Sequence, residues 1–224
     1  MANDGCYFNE YGKVLRAYYW RGNDKPIMMD VVHLQKEIVV IYPGAMEKFE
    51  CRMLFVPPSV NAIAARAFDH AQIGEIDFTG SNLISIECQA FIGCKAKTAL
   101  PDSVRYIGDE AVRDLDLVKY GKLKLPSALR HIGKKAFNLG NVDEIQADEA
   151  VVTQDSNLDA LISMSEDEGK DGLILSVSRD GKEVCRVPFE FLKSSKLKKK
   201  GEATSAIKDY IDCEYGVIAQ PLDI

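Results

Sequence analysis

Hydrophobic positions in the middle of this chain recur in blocks instead of along one helix face or one long strand. Short alternating runs come first. Glu75-Ile76-Asp77-Phe78 and Lys122-Leu123-Lys124-Leu125 each put every second side chain on the same side, as a half-buried strand does. Pro57, Pro101 and Pro126 follow such runs. They predict the strand ends, because proline offers no amide donor to a ladder and pushes its predecessor toward extended geometry. After the proline come an aliphatic anchor, an isoleucine three residues on, and a closing Ala-Phe pair.

Aligned on that pair, four lines stand in register: VPPSVNAIAARAF at 56–68, GSNLISIECQAF at 80–91, LPDSVRYIGDEAV at 100–112 and LPSALRHIGKKAF at 125–137. Their anchors are Val60, Leu83, Val104 and Leu129, and their isoleucines are Ile63, Ile86, Ile107 and Ile132. Ala67, Ala90, Ala111 and Ala136 are followed by Phe68, Phe91, Val112 and Phe137. The isoleucines recur after 23, 21 and 25 residues, which predicts a solenoid whose units each supply one strand and one turn or short helix. Apolar intervals of three to five after the proline predict that this second half is a short helical or 3₁₀ segment. Gly108 and Gly133 are expected to relax the backbone there, although Ala64 and Glu87 fill the same slot in other copies. In the second line Thr79 and Gly80 replace the proline with one extra residue, which predicts a local bulge.

The run proline-x-x-Val-x-x-Ile-Gly-x-x-Ala-Phe, with Ile92-Gly93-Cys94 after one copy, resembles the BspA-type leucine-rich repeat over about residues 53–147. The resemblance implies an α/β solenoid, a short right-handed horseshoe with a parallel sheet on its concave side. It implies use in contacts between proteins and, in bacterial surface members, adhesion to host matrix proteins. It does not imply catalysis.

A solenoid must cover the apolar faces of its terminal units. Residues 1–52 are read as an N-terminal cap with a degenerate first repeat, 53–147 as the solenoid, and 148–224 as a C-terminal cap or a small α+β module, so that β-rich segments cap both ends. Near the start, Val14–Trp20 and Pro26–Val32 bracket Arg-Gly-Asn-Asp and predict a hairpin. IVVIYPGAMEKF at 38–49 keeps a strand, Pro43, Met46 and Phe49, but shows no Ala-Phe ending, and reads as a shortened unit. Beyond Ala147 the period is lost. SEDEGKDG at 165–172 predicts an exposed loop, Asp180-Gly181 between two β-prone runs predicts a type I′ hairpin, and Ala203–Tyr215 predicts a helix.

Composition narrows the function classes. The 224 residues are 46% hydrophobic and 28% charged with a net charge of -6, a soluble globular balance that disfavours unspecific binding to nucleic acid or anionic lipid. No run of about 18 apolar residues marks a membrane span, and the first residues show no secretory leader. The chain as printed is therefore expected to be cytoplasmic, or at the cell surface or secreted if a leader has been removed. Cys6, Cys51, Cys88, Cys94, Cys185 and Cys213 form no CxxC pair and no zinc-ligand spacing, and read as free thiols.

A catalytic constellation is not found. His33, His70 and His131 have no nucleophile placed against them by spacing, His131 occupies a slot filled by Tyr106, Ala62 and Ser85 elsewhere, and no phosphate-loop motif is present. No metal or cofactor is expected. The basic run KSSKLKKKG at 193–201 reads as a solvated loop.

The outward strand positions are then the candidate binding face. If Leu123 and Leu125 point inward, the outward columns are Met53, Glu75, Lys97, Lys122 and Glu144, and beside them Phe55, Asp77, Ala99, Lys124 and Gln146. They mix signs and hold one aromatic, unlike a nucleic-acid track. These features predict a monomeric, non-enzymatic module that binds a protein partner, without membrane insertion, with Phe55 as anchor. The rival reading makes the repeats a scaffold for an enzymatic or regulatory activity in residues 148–224.

Overall fold

The computed structural model describes residues 5–8, 13–18, 29–34, 36, 38–193 and 204–207, with the backbone alone at 5–8, 13–18, 29–30 and 155. The chain forms a β-solenoid of about five turns with parallel sheets. It divides into two compact units, one of residues 1–117 with 133–137 and one of 118–132 with 138–224.

The first unit holds β1 (Gly5–Phe8), β2 (Lys13–Tyr18), β3 (Met29–His33), β4 (Val40–Ile41), β5 (Glu50–Phe55), β6 (Ala62–Ile63), β7 (Gln72–Asp77), β8 (Ser85–Ile86) and β9 (Tyr106–Ile107). Each repeat contributes to two parallel sheets. The longer strands β3, β5 and β7 form the first, which continues through bridges from Glu75 to Lys97 and from Lys97 to Asp116. The two-residue strands β4, β6, β8 and β9 run side by side in the second, with β2 parallel to β4 and β1 antiparallel to β2.

The second half of the repeat is therefore strand and turn, not the expected helix, and the described helices all lie after residue 148. Inter-coil hydrogen bonds explain the difference. Gly44, Met46 and Lys48 donate to the carbonyls of Arg66, Ala67 and Asp69, and Phe68 and His70 donate to Ala90 and Ile92. Every second turn amide is thus taken by the next coil, while those between, such as Ala67, Asp69 and Ala71, donate three residues back to Ala64, Arg66 and Phe68, so the turn keeps single internal bonds that never join into a helical ladder.

The repeat slots fill the core. Val60, Ile63, Ala67 and Phe68 are buried, as are Leu83, Ile86, Ala90 and Phe91. Phe68 and Phe91 stack with centroids 4.7 Å apart and planes at 14°. Ile38, Ile41, Ala45 and Met46 occupy the same four slots and are buried too. IVVIYPGAM is thus a full back half in register, its Ala-Met standing for Ala-Phe, and β3 supplies its front strand. Phe49, Ala71, Cys94 and Leu115 make a further buried column that the alignment overlooked.

Positive φ falls one residue before the alanine, at Gly44, Arg66, Gln89, Glu110 and Lys135, and not at the Gly108 and Gly133 slot. Gly108 and Gly133 answer to contact instead: a Cβ on Gly108 would lie 2.6 Å from the Cys88 amide nitrogen, and one on Gly133 2.4 Å from that of Asp109. The irregular second line is absorbed in a turn. Thr79 donates to Asp77 Oδ1 (2.7 Å), Ser81 donates to the Phe78 carbonyl (2.8 Å), and Ile86 keeps its place opposite Ile63.

At the start of the chain, β2 and β3 enter different sheets, so the hairpin of 14–20 with 26–32 is not formed; β1 and β2 form one instead. Pairing between β2 and β3 is not used because each has a parallel partner from the next repeat, β4 for β2 and β5 for β3.

The second unit holds β10 (Val118–Lys119), β11 (Lys122–Lys124), β12 (His131–Ile132), β13 (Glu144–Asp148), α1 (Glu149–Val152), α2 (Asp155–Asp167), β14 (Ile174–Arg179), β15 (Lys182–Pro188) and α3 (Phe189–Leu192). Its sheet runs β10-β11-β13-β14-β15, parallel from β11 to β14 and antiparallel at both hairpins. The β14–β15 hairpin turns on Asp180-Gly181 with φ of 52° and 75°, the type I′ geometry that dipeptide favours.

Helix α2 was not foreseen, and it takes Ser165–Asp167 out of the expected loop. It buries Leu158, Leu161 and Met164, spaced three apart. Asp148 caps α1 by accepting from the Ala150 amide (3.0 Å). Residues 204–207 are helical; the rest of the predicted tail helix and nearly all of the 193–201 run lie outside the described residues, as do Cys6 and Cys213.

Candidate protein-binding face

The first unit brings five of the expected residues into contact rows. Met53 lies opposite Glu75 and Phe55 opposite Asp77 across β5 and β7, and Glu75 is bridged to Lys97. Outward exposure follows from an inward set that is not strictly alternating. Cys51, Leu54 and Val56, like Ile73, Ile76 and Phe78, are buried, so both Arg52 and Met53, and both Gly74 and Glu75, stay outside. Gly74 is required there, since a Cβ on it would sit 2.6 Å from the Arg52 carbonyl oxygen.

Two residues before the expected start extend these rows. Val31 lies opposite Met53 and is 42% exposed, and His33 lies opposite Phe55 with the rings stacked at 4.4 Å and 7°. The result is an apolar and aromatic corner of Val31, His33, Met53 and Phe55. Beyond it the row alternates in sign through Glu75, Lys97 and Asp116. Opposite charges facing each other across strands contribute roughly 0.2–1 kcal/mol per pair.

Asp116 corrects the expected column, which ran from Lys97 to Lys122: the bridge from Lys97 leads to Asp116. The signal was the interval of 25 between Ile107 and Ile132, where the extra residues hold another bridged position and the β10–β11 hairpin. His33 and Val31 escaped notice because their strand was read as part of a cap.

Ala99 is exposed in the first unit, and the other expected residues belong to the second. Lys122 faces Glu144, Lys124 faces Gln146, and the rows continue to Ile174 and Ser176 on β14 and then to Pro188 and Arg186 on β15. Glu144 is buried and held from three sides: by Lys122 Nζ (3.3 Å), by Gln146 Nε2 (2.8 Å) and by Arg186 Nη2 (2.5 Å). Burial by itself would raise its pKa; the Gln146 and Lys122 hydrogen bonds with the Arg186 and Lys122 charges outweigh it and hold the carboxyl below its ordinary value. The stabilisation this lowered pKa brings is complete above the unfolded carboxylate pKa and is lost as pH falls through the folded one. Glu144→Gln is expected to flatten the acid limb of stability against pH; an unchanged limb in urea titrations at stepped pH would rule Glu144 out as its source.

Among the described residues the buried thiols are not set for covalent chemistry. Burial, with the neighbouring Cys94, pushes the Cys51 thiol up to about 12, and burial pushes Cys94 to about 11, so neither supplies a thiolate at neutral pH. His70 has its Nδ1 against the Asp69 carboxylate and is exposed, and His33 is engaged with Phe55. Among the described residues no group of three or more His, Cys, Asp and Glu side chains could hold a metal ion. No described helix is long and apolar enough to cross a membrane.

Parallel two-sheet coils with a repeated core and a varied outward row define a repeat-built solenoid. The repeats belong to the BspA type leucine rich repeat region, whose family profile matches residues 61–158 in 6 copies. That match reaches past Ala147, where the visible period ends, into α2. No curated protein matches the chain.

Proposed function

We propose that this chain is a non-enzymatic module that binds a protein partner through the outward rows of its parallel front strands. The corner of Val31, His33, Met53 and Phe55 carries the reading: apolar and stacked aromatic side chains sit together on the outside, rimmed by Glu75, Asp77, Lys97 and Asp116. An apolar centre with a polar rim is the anatomy of a binding patch between proteins. Leucine-rich repeats of this family suggest such a role and are generally non-enzymatic. On the second unit Lys122, Lys124, Glu144 and Gln146 are the proposed binding residues, adhesion to matrix proteins is the specialised form of the role, and the unbound chain is a monomer.

The test is capture of partners from matrix extracts and from cell lysate by the purified chain. Phe55→Ala and Met53→Ser are expected to weaken a captured partner by about 1–3 kcal/mol each, roughly tenfold to a hundredfold, as anchor residues do. Equal retention by both variants would reject the face. The rival, an activity housed in residues 148–224, is disfavoured by β14, which lies parallel beside β13 and carries its sheet onward.

A further inference from the structure

We infer that the β10–β11 hairpin is a docking anchor for an acidic segment of a protein partner, with Tyr120 as the inserted side chain and Lys119, Lys122 and Lys124 as its charge complement. This rests on the protein-binding reading above and names the chemistry of the partner at a place outside the Phe55 corner.

Two features of this hairpin are unfavourable for folding. Its turn is Tyr120-Gly121, with φ of 53° and 73°, nearly the same as Asp180-Gly181 at 52° and 75° in the other hairpin. That second hairpin carries the residue such a turn prefers; this one carries a bulky phenol in the left-handed region, where a side chain of that size is an outlier. The other described non-glycine residues with positive φ are Lys, Arg, His, Gln, Glu and Asp. Tyr120 is also 90% exposed, so the strain is not offset by burial.

The second feature is a like-charge pair. Lys119 lies directly opposite Lys122 across the hairpin, an arrangement that costs stability in antiparallel strands. Backbone strain kept at an exposed position points to use by a ligand.

The hairpin presents these groups rigidly. The Gly121 carbonyl accepts from the amides of Asp143 (2.7 Å) and Glu144 (3.1 Å), and a Cβ on Gly121 would meet Asp143 Oδ2 at 2.4 Å. Lys119 Nζ stands 5.6 Å from the Tyr120 ring centroid. The nearby charges are Lys119, Lys122, Lys124, Lys170 and Arg186 against Asp143, Glu144 and Glu183, and cations prevail. Lys170 pairs with Asp143 (3.5 Å), and Lys122 and Arg186 share the single carboxylate of Glu144, so the cations around the hairpin still outnumber the acids. The acids within the patch disfavour a phosphate backbone or a lipid surface, both dense in negative charge, and suit a carboxylate-bearing peptide that approaches from the Tyr120 side. An anchoring tyrosine ringed by lysines fits such a segment by burial and by charge together.

The test uses the full chain and labelled poly-glutamate followed by fluorescence anisotropy, with poly-lysine, single-stranded DNA and phosphatidylcholine–phosphatidylserine vesicles as parallel probes. Poly-glutamate is expected to bind, more weakly as salt rises. Tyr120→Gly is expected to weaken it about tenfold while leaving the melting temperature little changed, because the strain that glycine relieves at this φ is nearly cancelled by the freedom it gives the unfolded chain. Lys119→Gln with Lys124→Gln is expected to weaken it and lower the salt dependence. Phe55→Ala is expected to leave it unchanged, so the failure of this anchor and the failure of the Phe55 face are separate results. No binding of poly-glutamate, equal binding by Tyr120→Gly, or tighter binding to DNA or vesicles than to poly-glutamate would overturn the proposal.

Discussion

Phe91→Ala is expected to lower the unfolding free energy by about 3–5 kcal/mol, a large part of the roughly 5–15 kcal/mol that holds a typical native protein together. The side chain is fully buried and stacks on Phe68 at 4.7 Å. Its backbone is fixed by the next coil, because the Phe91 amide donates to the Ala111 carbonyl (3.1 Å). The turn therefore cannot slide inward to refill the space, and the cavity persists. Solenoid stability is a sum over neighbouring coils, so loss at one slot weakens both interfaces that slot serves. Urea unfolding followed by far-ultraviolet circular dichroism measures the loss. Phe55→Ala is the control: its ring lies half-exposed on the outside, and a loss equal to that of Phe91→Ala would refute the division into inward and outward slots.

Gly133→Ala is expected to cost about 3 kcal/mol, at the upper end of overpacking. The new methyl would lie 2.4 Å from both the Asp109 amide nitrogen and the Gly108 carbonyl carbon, and 2.7 Å from Asp109 Oδ1. Two of those three neighbours are backbone atoms of residues tied to the coil before them: Gly108 donates to the Ile86 carbonyl, and the Asp109 carbonyl accepts from the Gln89 amide, each at 2.8 Å. Relief would require the coils to part. Two residues away, Lys135 has φ of 51°, so Lys135→Gly removes a left-handed strain while loosening the unfolded chain, and the two nearly cancel to about 1 kcal/mol or less. Melting temperatures of the pair discriminate the causes. If Lys135→Gly cost as much as Gly133→Ala, the turn would be governed by conformational freedom and not by contact.

The inward half of this protein was legible from residues alone. Val60, Ile63, Ala67 and Phe68, and their equivalents, repeat at spacings that only a shared core explains, and the same slots are the buried ones. Hairpin chemistry was equally local, since Asp180-Gly181 meets its own turn requirement. The back half misled because spacings of three to five are shared by a helix and by a strand followed by a tight turn. Hydrogen bonds between coils settle that choice, and those partners lie about 22 residues away in the chain, as Arg66 does from Gly44.

The outward rows show the same limit. Met53 with Glu75 and Lys122 with Glu144 could be paired by counting, because each pair is one regular period apart. Asp116 could not, because the repeat before it is shortened and a hairpin follows. The carboxylate of Glu144 was read as an exposed member of a row; Arg186, from a strand 42 residues on, covers it. Helix α2 is hidden in the sequence because its buried apolar face, Leu158, Leu161 and Met164, is narrow and shares its burial with the polar Asn157 and Ser165.

What the sequence determined by itself is the repeat: which side chains enter the core, where strands stop, and that the chain coils with a period near 22 residues. Apolar burial does not depend on which neighbour provides the cover, so its pattern survives in one dimension. The tertiary structure alone decided where backbone amides find their acceptors, which glycines are held by contact, and which charges become neighbours. Each of those depends on distances between coils, and a distance between coils is a property of the stack and not of any one repeat.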